Sequence, residues 1–154
     1  MGLILRKFTA ATAAFLLSNL WGLAMADENP YTKRSATLLP VTLKLDGNVT
    51  DALARKSLST LQDIYRQLQE ETEKGEELVN NNGTASACDV AHSNLLIVVG
   101  FAINKLDGEG RYQDWMENES LEKLAEYREL VAACSNDARL PAFSKITDNM
   151  IKQL

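Results

Sequence analysis

Leu95-Leu-Ile-Val-Val-Gly-Phe-Ala-Ile103 decides the fold. It is nine apolar residues in a row, counting Gly100, set between Asn94 and Asn104. A helix that is apolar all round belongs inside a bundle, surrounded by other helices. The run falls short of the ~20 residues needed to cross a bilayer. The spacing predicts a helix from about Ala87 to Leu106, closed by Asp107-Gly108-Glu109-Gly110.

On the carboxy-terminal side, the pattern predicts a helix from about Asp114 to Cys134. Leu121, Leu124, Tyr127, Leu130, Val131 and Cys134 form its inner stripe, and Ser120 stands near Glu122, Glu126 and Glu129. Ser135-Asn136-Asp137 breaks it. Pro141 suits the first turn of a last helix, with Phe143, Ile146, Met150 and Leu154 at helical spacing. On the amino-terminal side, Leu53, Leu58, Leu61, Ile64, Tyr65 and Leu68 predict one amphipathic helix from Thr50 to about Val79. Asn48 or Thr50 would cap it, with Asp51 favourable in the first turn. Its end, Gln69 to Glu77, has no apolar stripe and reads as a solvated acidic extension. The acidic residues there lack the spacing of a calcium loop. Asn80 to Thr84 reads as a loop.

Asp46-Gly47-Asn48 reads as a turn. Before it, Pro30, Pro40 and polar residues give a mobile arm, and Val41 to Leu45 alternates like a strand that has no partner. The fold class is therefore all-α: a small bundle of about four helices with one disulfide, preceded by a signal peptide and an extended arm. The division is 1–26 signal peptide, 27–48 extended arm and 49–154 helical domain.

The leader reading rests on three parts. Arg6 and Lys7 form a basic start, Phe8 to Leu23 an apolar middle, and Ala24-Met25-Ala26 a cleavage site ahead of Asp27-Glu28. The middle is too short for a membrane anchor. Cleavage after Ala26 removes two basic residues and no acidic one, which takes the formal charge from −5 to −7. The product is expected in the periplasm or outside the cell, with no stable membrane insertion. In an oxidising compartment Cys88 and Cys134 are expected to pair, and they allow one connectivity. With 45 residues between them, the chain-entropy contribution is about 4 kcal/mol. Free thiols or an intermolecular bridge are the alternative.

Composition excludes more than it selects. A net-acidic chain lacks the basic face that displaces counterions from phosphates, which argues against nucleic acid. One His and two Cys are few for a zinc site. The glycines form no phosphate loop and no G-x-S-x-G is present, so no cofactor is expected. His92 lies one turn beyond Cys88, beside Asp89, and reads as a helix histidine near a disulfide; the Cys-His alternative needs a thiolate. The acidic residues read as solvating. No catalytic constellation emerges, so the chain is expected not to be an enzyme. Trp115 and Met116, with Phe101, are the candidate partner-binding surface, although core or half-buried packing is the plainer reading for the two. Asn48-Val-Thr50, Asn82-Gly-Thr84 and Asn118-Glu-Ser120 are glycosylation triplets that matter only in a eukaryotic secretory pathway.

Cys88 opening a helix, Val99-Gly100-Phe101-Ala102 before Asn104-Lys105, and Leu130-Val-Ala-Ala-Cys134-Ser-Asn-Asp137 followed by Phe143 carry a resemblance. Over Cys88–Leu154 the chain resembles the HdeA-like periplasmic acid-stress chaperones. Asp27–Ala87 has no counterpart in that pattern. The resemblance implies holding of unfolding client proteins at low pH. The residues allow it: acid would neutralise the 21 carboxylates and leave the basic side chains and His92 charged. Self-repulsion would then loosen the fold. Two other expectations stand beside this one. An immunity or inhibitor protein would use its negative charge to meet a basic exported toxin or enzyme. A secreted interaction protein would work through its arm. A homodimer is compatible with each.

Overall fold

The computed structural model describes residues 30–81, 83–108 and 113–154. The leader reading and the Asn82 side chain lie outside the described residues. Within them are four long helices and a short one: α1 Pro30–Ala54, α2 Leu58–Asn80, α3 Ala87–Asp107, α4 Asp114–Ala138 and α5 Asp148–Lys152. The expected all-α bundle is present. Helix α3 packs against α1, α2 and α4, while α1 also touches α2 and α4. Leu95, Val98, Val99 and Ala102 of α3 are buried in the main core. Among the described residues α3 alone is long and apolar enough to cross a membrane, but half of that window is buried inside the bundle.

The largest correction concerns the arm. Residues 30–48, read as extended, form most of α1. The reason is a stripe at helical spacing: Ser35, Leu39, Thr42, Leu45, Asp46, Val49, Ala52 and Leu53 are all buried. Three of these are polar, so the stripe does not look hydrophobic. Pro40 and Gly47 oppose a helix by local preference, and packing along the bundle outweighs them. The Asp46-Gly47-Asn48 turn is accordingly helix interior.

The single helix expected over Thr50–Val79 is two. Lys56 adopts a left-handed conformation, φ 51°. Its N–H donates to Leu53 O at 3.1 Å, and that of Ser57 to Ala52 O at 3.0 Å. Those two bonds make a Schellman end to α1. The same device, with Arg139 at φ 56°, extends α4 to Ala138, beyond the expected break at Ser135. In place of the helix expected from Pro141, the chain is irregular through Thr147, followed by the short α5. Side chains from other helices take its polar backbone groups: the N–H of Ala142 donates to Ser135 Oγ at 2.9 Å, and that of Lys145 to Asp46 Oδ1 at 2.8 Å. Ile146 and Ile151 fasten this strap to the core.

Cys88 and Cys134 are bonded, as expected, and fully buried, with Cα atoms 5.3 Å apart. The bond joins the start of α3 to the end of α4, so these two helices run antiparallel.

A β-carbon added at Gly47 meets no atom within 4 Å. Alanine there removes the entropic cost of a helix-interior glycine. Gly47→Ala is expected to raise the unfolding free energy by about 0.5–1 kcal/mol, measured by urea titration. A loss of stability would show that this segment is a turn after all.

Candidate functional site

Two polar clusters inside the bundle combine burial with titratable chemistry. The first joins three helices at the level of the disulfide. Ser86 caps α3, and Asp89 completes a capping box. The Ser86 N–H and hydroxyl donate to Asp89 Oδ2 at 2.7 and 2.8 Å. Arg34 of α1 donates to the same carboxylate through Nε at 2.8 Å and Nη2 at 2.5 Å. This fork is the strong, two-bond form of the arginine–carboxylate pair. The Asp89 side chain is 4% exposed and that of Arg34 29%. From α2, Gly75 makes room: a β-carbon there would sit 3.3 Å from the Asp89 side chain.

Burial pushes the Asp89 carboxyl up, but the Arg34 fork and the Ser86 donors outweigh it. The net position is below the ordinary carboxylate value. One turn on, His92 is fully buried, with Nε2 2.9 Å from Thr42 Oγ1. The Thr42 hydroxyl donates to Leu38 O at 3.1 Å. That assigns the imidazole proton to Nε2, since a hydroxyl has one hydrogen to give. Nδ1 is then a buried acceptor without a hydrogen bond. Burial lowers the His92 pKa; Glu71 and Asp89 pull the other way without reversing it.

The second cluster centres on Asp46, 1% exposed. Tyr127 and Ser144 donate their hydroxyls to Oδ2 at 3.1 and 2.5 Å, and the Lys145 N–H reaches Oδ1. Burial and the neighbouring Asp46 push the Tyr127 hydroxyl well above its ordinary value. One carboxylate thus ties α1 to α4 and to the carboxy-terminal strap.

The residues singled out as a partner surface come partly together. Trp115 is 55% exposed and meets Phe101 edge-on, centroids 6.2 Å apart. Its Nε1 donates to Gln113 Oε1 at 2.6 Å. Met116 and Phe101 are half-buried. Core or half-buried packing thus describes Met116, while Trp115 is the more exposed of the two. Asn48 and Asn118 are exposed on helices α1 and α4. A shallow groove of about 310 Å³ lies between α2 and α3, lined by Thr72, Val79, Val90 and Ser93 among others.

His92 does stand one turn from Cys88, but the disulfide leaves that sulfur no thiolate. Among the described residues no group of three or more His, Cys, Asp or Glu could hold a metal. Sequence reasoning missed Arg34, Thr42, Asp46 and Tyr127 as partners. For Thr42 and Asp46, the alternating spacing of four and three residues through Ser35, Leu39, Thr42, Asp46 and Val49 was the available signal. Comparison with family models, curated proteins and solved structures gave no match.

The signs of both lowered groups agree. A lowered His92 favours the neutral imidazole. Its stabilisation is whole above 6.5, the unfolded value, and declines as pH falls below it. A lowered Asp89 favours the carboxylate. Its stabilisation is whole above 3.8 and is lost as pH falls through the lower folded value. Asp89→Asn keeps much of the Ser86 cap and breaks the charged fork. It is expected to cost about 2 kcal/mol at pH 7. It should also flatten the stability–pH curve below about pH 4 relative to the unaltered chain, by urea unfolding at each pH.

Proposed function

We propose that this chain is an exported, helical holding protein that takes up unfolding clients in acid, in the manner of the periplasmic acid-stress chaperones it resembles. The disulfide is consistent with an oxidising compartment, and the leader pattern of residues 1–26 supports a periplasmic or secreted location. The observation that carries the reading is the part-buried Arg34–Asp89 pair, which bridges α1 and α3. Protonating Asp89 leaves Arg34 charged and half its partnership lost. His92, which burial favours in the neutral form, loses that stabilisation as pH falls below its unfolded value. Both changes weaken the seat of α1.

The whole-chain charge moves the same way, since acid neutralises the carboxylates and leaves a strongly cationic protein. Loosened helices would offer their inner faces, with Leu95, Val98 and Val99 among them, to apolar segments of a client. The disulfide keeps α3 and α4 tied and limits expansion.

The exposed Trp115, edge-on to Phe101, favours a second reading. An exposed tryptophan backed by a second ring is a common anchor of specific interfaces. On that reading the protein is an immunity or inhibitor protein for a basic exported toxin or enzyme.

One pair of measurements separates the two. The mature chain, disulfide intact, is expected to suppress aggregation of acid-labile clients at pH 2–3 and not at pH 7. Trp115→Ala should leave that activity unchanged. Absence of suppression in acid removes the holding function. Capture of a single partner at pH 7 that is lost in Trp115→Ala would establish the second reading instead.

A further inference from the structure

Helix α1 spans two apolar clusters, with Leu43 packed against both. Its second half supplies Leu45, Val49, Ala52 and Leu53 to the main core. Its first half supplies Leu39, with Leu38 alongside, to a small cluster around Cys88, Cys134 and Ala138. Pro40 stands at the junction. Proline has no N–H for the carbonyl four residues back, and its ring crowds that carbonyl, so the helical ladder is interrupted there. On either side, Thr37 and Thr42 turn their hydroxyls onto Lys33 O and Leu38 O, at 3.0 and 3.1 Å. That contact favours a bend.

Among the described residues of the first half, Leu39 is the buried apolar side chain, against Leu45, Val49, Ala52 and Leu53 in the second half. Its ties include the Arg34 fork on Asp89, and Ser35 O touches the disulfide-bonded Cys134 Sγ at 3.9 Å. Ser35 Oγ is buried without a hydrogen bond. Toward α2, open grooves of about 320 and 460 Å³ flank this region. One is lined by Arg34, Leu38 and Lys74, the other by Pro40, Val41 and Glu70 among others.

We infer that Pro30–Leu39 is a lid, hinged at Pro40 and latched by Arg34 on Asp89, which opens ahead of the rest of the bundle and uncovers the Cys88–Cys134 disulfide. The latch sits beside what it covers, because Asp89 directly follows Cys88. Both sulfurs are inaccessible while the lid is shut, since each cysteine is 0% exposed. With the lid open, Leu39 and the disulfide reach solvent while the main core stays packed. Segments with few buried contacts open locally in this way. The inference does not rest on client holding, and a lid of this kind can serve a protein of any function. The charged groups around the latch are Arg34 from α1, Glu71 and Lys74 from α2, and His92 on α3 itself.

The test is reduction of the disulfide in the full folded chain by a water-soluble phosphine at pH 7, followed by thiol labelling and mass. Opening of a small lid exposes little surface, so the rate is expected to be nearly flat in low urea. Arg34→Met should speed reduction about tenfold, because it removes a charge-assisted pair. Pro40→Ala, which restores the backbone donor, should slow it. Ile64→Val, far from the lid in α2, should lower the urea midpoint and leave the low-urea rate unchanged. A rate that climbs with urea at the full unfolding slope, with Ile64→Val as fast as Arg34→Met, would overturn the lid.

Discussion

A polar atom taken out of water must find a hydrogen-bond partner or cost the fold a large part of its stability. Helix α1 is built under that constraint. It buries Ser35, Thr42 and Asp46 along its inner stripe, and the rest of the bundle meets the last two, while Ser35 Oγ is left without a hydrogen bond. Thr42 meets His92 of α3. Asp46 meets Tyr127 of α4 and the chain at Ser144 and Lys145. Asp46 in particular sets the path of the strap, since its oxygens accept from the Ser144 hydroxyl and from the Lys145 N–H, a donor that a helix would have satisfied internally. Arg34 adds the reverse case, a surface cation reaching inward to a carboxylate that caps another helix.

Those polar contacts are also where the protein is most sensitive to its surroundings. Apolar packing at Leu95 or Val99 does not respond to pH. The Arg34–Asp89 fork and the neutral His92 do, and both favour the folded bundle at higher pH and lose that effect in acid. They lie at the same end as the disulfide, between α1, α3 and α2. The end governed by Asp46 and Tyr127 is held by hydrogen bonds to a strap. The disulfide ties α3 to α4 and leaves α1 to depend on side chains alone.

Much of the fold was legible in the residues. The run Leu95–Ile103 announced an enclosed helix, and Leu61, Ile64 and Leu68 announced the face of α2. Leu124, Tyr127, Val131 and Cys134 announced the face of α4. The pairing of Cys88 with Cys134 followed from their number. Helix α1 was not legible, because its stripe alternates leucine with serine, threonine and aspartate, and because Pro40 and Gly47 are ordinary turn residues. Of the site, Cys88, Asp89 and His92 could be placed on one helix. Their partners Arg34 and Thr42 lie 55 and 50 residues away in the chain, and no local pattern connects them.

The amino-acid sequence alone determined the class: an acidic chain whose periodic leucines and single cysteine pair make a helical bundle. Periodicity is a local property, and it records which face of each helix leaves water. Tertiary structure decided that residues 30–48 join the bundle, that Trp115 stays outside it, and that Asp46 and Asp89 are buried with partners. Those outcomes are set by packing and polar satisfaction between distant segments. A buried aspartate and a solvated one have the same letter, and only the groups folded against them separate the two.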